Sequence, residues 1–392
     1  MKTRRHKVAA SLRDAEHECQ FASRSDATAI AAAARLWLEP RSSWMARAKR
    51  ELTVFSPPMV ELGLRELFED VAANVEELER REAPRITKRE SRITICHVLS
   101  GNLPNPGVVS IIVGLLAGAR NVVKPATGDP MPALFVESLA RVDAALARRV
   151  ELTADREAYR RVKIVVAYGD DETLRTLERN RRQDADATFL GFGHRASIGL
   201  VNFTRCTLNA RRSTAAAAAR DASMWDQQGC MSAQCFYVRG NAAAFAEALA
   251  REMEQFDRRW PRATLPFGDA AAIARARNEW GFRGRVWASK GSTRWTAVLD
   301  EHGGWAPSPL SRFVFVRPVE RLAGRHTPGH ELPVVSYRLP PLSTVGFAGF
   351  TPKEAMAMAR ADRYCSLGEM QRPSLLLTHG SRPRIGDLIH ES

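Results

Sequence analysis

Cys230 stands in the stretch Asp226-Gln-Gln-Gly-Cys230-Met-Ser-Ala-Gln234, with a glycine immediately before the thiol and small or polar residues on both sides. Glycine at that place lets backbone and substrate approach closely, and the polar flanks predict a turn that leads into a helix. At a helix N-terminus the macrodipole and the unpaired N–H groups favour the thiolate, which is the attacking species, and the same N–H groups can receive an oxyanion. The chemistry is then acyl transfer through sulfur. The competing reading of one isolated cysteine is a buried, inert side chain.

Other segments carry groups that such chemistry needs. Gly101-Asn102-Leu103-Pro104-Asn105-Pro106 follows a predicted strand and precedes a helix, which puts it at the carboxyl edge of a sheet, where open α/β sheets build their sites. Asn102 is a candidate amide donor to the oxyanion of a tetrahedral intermediate; its plainer use is to shape a proline-rich turn. Lys124 closes a buried-looking strand and is either a solvated strand end or a hand for a ribose or phosphate group. Gly191-Phe-Gly193-His-Arg-Ala-Ser197-Ile-Gly199 is a glycine-rich turn after a strand, suited to letting phosphates meet backbone N–H groups. Its spacing is not the dinucleotide fingerprint G-x-G-x-x-G, and no G-x-x-x-x-G-K-S/T loop occurs. His326 and His330 flank Thr-Pro-Gly and cannot share a helical face, so no metal site is predicted. Trp260, Trp280, Trp287, Trp295 and Trp305 are read as core packing in preference to an apolar acyl tunnel.

The elements that must position these groups alternate between β and α. Strands at 92–99, 121–124, 162–167 and 187–190 are interleaved with helices at 107–119, 131–148 and 172–180, which argues for a parallel, doubly wound sheet. Helical patterns at 27–38 and 59–81 precede it. An alanine-rich helix at 214–222 ends near the thiol, followed by a strand at 235–238 and a helix at 242–256. A looser region rich in Trp, Arg, Gly and Pro then runs to about 341, before a helix at 351–360 and a strand at 374–377. The predicted fold is α/β, a parallel-sheet domain followed by a second α/β domain. Its parts are a basic tail and helix (1–50), a nucleotide-binding domain (51–226), a catalytic thiol domain (227–345) and a C-terminal segment (346–392) that returns to the first domain or meets another subunit.

A chain of 392 residues buries a large core. Its formal charge is +14, yet only eight of the 58 basic residues are Lys. The excess is arginine spread along the chain, which suits anions such as cofactor phosphates better than a dedicated nucleic-acid surface. Six cysteines (Cys19, Cys96, Cys206, Cys230, Cys235, Cys365) are too sparse for a disulfide framework and form no C-x-x-C pair; a reducing cytoplasm fits them. The start, Met1 to Val8, is basic without the apolar core of a secretion signal and reads as a solvated tail. The longest apolar segment, 108–119, is broken by Gly114 and Gly118 and is too short to span a bilayer.

In order and spacing the segments resemble the LuxC-type acyl-CoA reductases, relatives of the aldehyde dehydrogenase superfamily. The matching stretches are Gly101-Asn-Leu-Pro104 with Ser110-Ile-Ile-Val-Gly-Leu-Leu-Ala-Gly118, Asn121-Val-Val-Lys-Pro125, Ala167-Tyr-Gly-Asp-Asp-Glu-Thr173, Gly193-His-Arg-Ala-Ser-Ile-Gly199, the Cys230 stretch, and Gly368-Glu-Met370. The resemblance covers the chain from about residue 90 onward. It implies an aldehyde-dehydrogenase-like fold and NADPH-dependent reduction of a fatty acyl-CoA thioester to the aldehyde. Cys230 would take the acyl group, and Asn102 with the Cys230 N–H would form the oxyanion hole. Lys124 and the turn carrying Gly193, Ser197 and Gly199 would hold NADPH. In the superfamily's hydrolytic members a Glu upstream of the thiol activates water. Between Gly199 and Cys230 this chain has only Asp221 and Asp226 as acids, which favours discharge by hydride. The N-terminal region reads as shorter than in typical members, and Glu331 is the sole candidate for the cofactor-ribose carboxylate. An acyl-carrier donor in place of CoA, an acyl-transferring partner enzyme and a homo-oligomer all accord with the resemblance. The runner-up is a non-catalytic relative, an acyl-binding or scaffold protein, which would bind acyl-CoA without oxidising NADPH.

Overall fold

The computed structural model describes residues 25–82, 93–181, 187–301, 305–319 and 339–377. The predicted basic tail, His326, His330 and Glu331 lie outside the described residues.

Short β-branched runs such as Ile164-Val-Val pair side by side because they are buried on both faces. Strands β1 (Thr94–Val98), β2 (Arg120–Lys124), β3 (Val150–Leu152), β4 (Ile164–Tyr168) and β5 (Thr188–Phe192) form an all-parallel sheet in the order β3-β2-β1-β4-β5. The order reverses between β1 and β4, so a crevice opens at the carboxyl ends of those strands. Helices α1 (Asp26–Leu38), α2 (Ser43–Glu51) and α3 (Pro57–Glu82) precede the sheet. They share one apolar cluster with the helix α4 (Asn105–Leu116) that follows β1 and with α5 (Met131–Ala140) that follows β2. Trp37 of α1 stacks on Phe68 of α3 at 4.4 Å and donates its indole N–H to Ser138 of α5 at 3.0 Å. The helix expected at 131–148 is in fact two, because Asp143 caps a new turn, α6 (Ala144–Ala147), by accepting from the N–H groups of Ala145 and Leu146.

A buried polar relay ties this sheet to α4. His97 of β1 is fully buried, with Nδ1 at 2.7 Å from the Ser110 hydroxyl and Nε2 at 2.9 Å from Asn121 Oδ1. The Asn121 amide nitrogen donates to the Ala119 carbonyl, so its oxygen must accept. His97 therefore carries its hydrogen on Nε2 and accepts from Ser110 on Nδ1. Gly114 of α4 makes the room, since a Cβ there would lie 1.9 Å from Asn121 Oδ1.

After α7 (Asp171–Asn180) and β5, the chain changes sheet. Strands β6 (Ala196–Asn202), β7 (Ala233–Arg239), β8 (Arg285–Ala288), β9 (Thr296–Leu299), β10 (Phe313–Pro318), β11 (Leu342–Ala348) and β12 (Ala361–Ser366) are ordered β12-β11-β6-β7-β10-β9-β8. All pairs are parallel except β8 with β9. Alternate residues face two separate cores: Phe236 and Val238 with helices α8 (Leu208–Ser223) and α9 (Ala242–Arg259), Cys235 and Tyr237 with α10 (Phe267–Arg283) and α11 (Pro352–Met358). The alanines of α8, Ala215, Ala218, Ala219 and Ala222, are all buried. Trp295 is buried and the other four tryptophans of this region are partly buried against the cores.

The sheets part between Phe192 and Ala196, well before the boundary expected near Asp226, because half of the glycine-rich stretch 191–199 is strand β6. The loose region before 341 holds α10 and β8 to β10. At the C-terminus β11 and β12 belong to the second sheet, and the segment after them reaches the first lobe, where the Leu375 N–H meets the Asp70 carboxylate of α3 at 2.6 Å. Residues 374–377 form a turn instead of the expected strand.

Burial pushes the His97 imidazole down to about 4 from an ordinary 6.5. Unfolded chains take up a proton near 6.5 that the folded protein refuses until about 4. Stability is therefore complete above that upper value and falls as pH drops through the interval, by a contribution on the order of 3 kcal/mol. Denaturant unfolding across this range should show the loss, and His97→Gln should flatten the slope by one proton; an unchanged slope in that variant would contradict the buried neutral imidazole.

Candidate active site

The approach to the thiol runs through two segments of unusual backbone. Trp225, Asp226 and Gln227 have φ of 52°, 52° and 65°, and Leu310, Ser311 and Arg312 have φ of 62°, 56° and 66°. Left-handed conformations of non-glycine residues cost about 1–2 kcal/mol each and persist only where neighbours over-determine them. Here the two triplets determine each other. Arg312, fully buried, donates Nε to Asp226 at 2.9 Å, a terminal nitrogen to Asp257 of α9 at 2.8 Å and another to the Trp260 carbonyl at 2.8 Å. The Gln227 amide donates to the carbonyls of Ala233 and Phe313 at 2.8 and 2.9 Å and accepts the Phe313 N–H at 2.9 Å. Trp225 plugs into the N-terminal helices edge-on to Phe55, over Gly63 of α3, where a Cβ would come within 2.0 Å of the indole. Burial pushes the Asp226 carboxyl up and the Arg312 guanidinium down, and their mutual attraction opposes both.

Out of this frame the chain turns at Gly229–Ser232, closed by the Ser232 N–H on the Gly229 carbonyl at 3.0 Å, and enters β7. The expected helix after the thiol is absent, so no macrodipole assists ionisation. Cys230 is exposed, unlike the other described cysteines. Burial pushes Cys96 up to about 12 and Cys365 to about 11. Although the Cys230 residue is open to solvent, protein packed around its thiol still pushes that group up. Opposing this are the Ser343 hydroxyl, 3.9 Å from the sulfur, the residue's own N–H and the charge of Arg195.

Asn102 is exposed in the loop after β1. Its neighbour Leu103 packs on Gly229, where a Cβ would lie 2.9 Å from Leu103 Cδ1 and 3.3 Å from Gln371 Oε1. The amide-bearing loop of the first sheet and the thiol-bearing turn of the second are thus in van der Waals contact, one residue away from each functional group. Lys124 ends β2, its carbonyl accepting the Leu99 N–H at 3.0 Å, and a Cβ on Gly101 would lie 2.8 Å from Ala126. The Lys124 segment therefore flanks the Asn102 loop, and its ammonium makes no ion pair with another described residue. Nearby at the start of α4, Asn105 Oδ1 is buried without a partner.

Gly193 lies in the expected turn after a strand, whereas Ser197 and Gly199 lie within strand β6. Gly193 sits in the connector from β5 to β6, against a carboxylate: the Asp171 Oδ1 accepts the His194 N–H at 3.2 Å and would lie 2.5 Å from a Cβ on Gly193. Ser197 is fully buried on β6, donating its hydroxyl to the Cys230 carbonyl at 2.7 Å and accepting the Thr344 N–H at 3.0 Å. Gly199, also on β6, faces Phe236, whose ring would be 2.2 Å from a Cβ. Protein thus fills the space around Ser197 and Gly199, and a phosphate at Gly193 would meet Asp171. The two acids upstream of the thiol are likewise engaged: Asp226 with Arg312, and buried Asp221 with the N–H groups of Gly368 and Met370 at 2.6 and 3.1 Å. Burial pushes the Asp221 carboxyl up to about 7 against those two donors. Ser343 and Arg312 escape sequence reasoning because they meet the thiol and its frame only through tertiary pairing. Among the described residues no cluster of three or more His, Cys, Asp or Glu could hold a metal, and no helix is long and apolar enough to cross a membrane.

A doubly wound parallel sheet whose β1 loop packs against the thiol-bearing turn that enters a second sheet defines an aldehyde-dehydrogenase-like α/β protein. Solved structures agree in fold. An oxidoreductase from Marinobacter aquaeolei aligns over 93% of this chain and 84% of its own, with TM-score 0.70 at 12% identity. A NAD-dependent benzaldehyde dehydrogenase from Corynebacterium glutamicum aligns over 92% and 86%, with TM-score 0.62 at 11% identity. Within that class the family model for acyl-CoA reductase (LuxC) matches residues 38–374, and the chain belongs to this family. Similar proteins include the long-chain acyl-protein thioester reductase of Aliivibrio fischeri, 25% identical over 236 residues, and long-chain acyl-protein thioester reductase 2 of Photobacterium leiognathi, 26% identical over 241. The matches take in 57% and 58% of this chain but only 48% and 49% of those relatives, about half their length.

Removing Arg312 leaves Asp226 and Asp257 buried without their common cation. Arg312→Ala should cost about 3–5 kcal/mol in denaturant unfolding. Arg312→Lys should not restore it, since one ammonium cannot serve two carboxylates and a carbonyl in a planar fork. A midpoint equal to the parent protein's would overturn the account of the locked turns.

Proposed function

We propose that the protein reduces a fatty acyl thioester to the aldehyde through a thioacyl-enzyme on Cys230, with NADPH as reductant. The observation that carries this reading is the exposed Cys230 turn packed against the Asn102 loop, with both upstream acids already engaged. The Cys230 thiolate attacks the acyl carbon, and the bond from that carbon to the donor sulfur breaks, releasing CoA or a carrier thiol. The Asn102 amide and the Cys230 N–H receive the carbonyl oxygen as it gains charge. Reduced nicotinamide, when bound, supplies the hydride. Collapse of the resulting thiohemiacetal anion breaks its carbon–sulfur bond, which regenerates the Cys230 thiolate and frees the aldehyde.

The carboxyl edge of β1 and β2 suits the cofactor: Lys124 is without an ion partner among the described residues and Asn105 Oδ1 is buried and unpaired. A phosphate there would meet the Lys124 ammonium, and a ribose hydroxyl would find an acceptor in Asn105 Oδ1. Ser197 and Gly199 shape the second sheet in this scheme and Gly193 its connector. The names of the relatives favour a protein-borne acyl donor, and the charge of +14 suits an acidic carrier as well as the phosphates of CoA.

Mass analysis of the full chain with long-chain acyl thioesters, run beside a nicotinamide oxidation assay, tests the scheme. Cys230→Ala should fold, form no acyl adduct and oxidise no NADPH. Asn102→Ala should keep the fold and lower kcat by about 100-fold or more. Turnover retained by Cys230→Ala would remove the thiol from the chemistry. Acyl binding without NADPH oxidation by the parent protein would favour an acyl-binding relative instead.

A further inference from the structure

The Cys230 sulfur lacks the usual aids to ionisation. No helix begins at the thiol, and among the described residues the charged groups that act on it are Arg195 from the β5–β6 connector and Asp362 from β12. Those two are paired with each other at 2.9 Å, so their fields at the sulfur largely cancel. Arg363 of β12 lies beside Met231 but is committed to the carbonyls of Met370 and Glu369 at 2.7 and 2.8 Å. What remains is hydroxyl chemistry. Ser343, nearly buried at the start of β11, aims its hydroxyl at the sulfur from 3.9 Å. That is long for a hydrogen bond, as is usual before a catalytic group is charged. Ser197 holds both partners one backbone step away: its hydroxyl donates to the carbonyl of Cys230 itself and accepts the N–H of Thr344, the residue after Ser343. One buried hydroxyl on β6 thereby fixes the separation of the thiol from the serine on β11.

We propose that Ser343 is the hydrogen-bond donor to the Cys230 thiolate and that Ser197 is the positioning residue that sets the Ser343–Cys230 pair. Both roles rest on Cys230 being the acyl-accepting nucleophile, and both can be read without acyl substrate. Ser343 stabilises the anion by a charge-assisted bond that shortens when the proton leaves the sulfur. Ser197 touches no reacting atom and acts through the two peptides it bridges.

The test is the pH profile of Cys230 alkylation by iodoacetamide in the full chain, followed by mass analysis of the peptide containing it. Ser343→Ala should raise the midpoint by about one pH unit and slow labelling at neutral pH about tenfold. Ser343→Thr and Ser343→Val add the same bulk, so the Thr variant should keep the parent midpoint while the Val variant shifts it. Ser197→Ala should shift it in the same direction, and the double variant Ser197→Ala/Ser343→Ala no further than Ser343→Ala alone. Equal midpoints for the Thr and Val variants would overturn the Ser343 role, and a further shift in the double variant would overturn the Ser197 role. An unmoved profile in variants that still reduce thioesters sinks this inference alone. A shifted profile in a parent protein that reduces no thioester sinks the proposed activity alone.

Discussion

The site depends on one constraint: two left-handed triplets, 225–227 and 310–312, are tied to each other through the buried Arg312 fork between Asp226 and Asp257. Such backbone has no local reason to exist. Its effect is to deliver the chain from the end of α8 to the head of β7 along a fixed path, so that the turn between them leans on the Asn102 loop through Gly229 and Leu103. The bulky Trp225 anchors the same path to the N-terminal helices. Elements from both sheets and from the helical layer therefore converge on a turn of four residues.

That frame accounts for the chemistry that the site favours. A thiol on a solvent-open turn beside an amide-bearing loop suits acyl capture. The Glu that activates water in hydrolytic relatives has no counterpart between Gly199 and Cys230, and the two carboxylates that are there are occupied, Asp226 by a guanidinium and Asp221 by two N–H groups of the 368–370 segment. In the proposed scheme the contacts that hold the turn in place also leave neither carboxylate free to activate water.

Much of the first lobe was legible in the sequence because its signals are local. The runs around Ile164 and Asn121 read as buried parallel strands, and Gly101 to Pro106 read as the loop at their carboxyl edge, which is where Asn102 stands. The second lobe was harder. Its strands β8, β10 and β12 carry Arg, Trp or Pro, and the five strands β8 to β12 join the sheet by tertiary pairing, β10 on β7 and β11 on β6 with the others outside them. The stretch 191–199 misled because glycine there serves close packing: Gly199 admits the Phe236 ring instead of a phosphate. Cys230 itself was found from its neighbours, but the residues that follow it form a turn and a strand where a helix was expected. Ser343, beside the thiol, and Arg312, in its frame, sit too far along the chain for spacing to show them.

A single-turnover experiment tests the central claim most directly. The protein is charged with a long-chain acyl thioester in the absence of nicotinamide, the adduct on Cys230 is followed by mass, and NADPH is then added. The adduct should persist in water, with little free acid formed, and should disappear on addition of NADPH with one aldehyde released per adduct lost. Rapid loss of the adduct to the free acid before any reductant is present would contradict the account.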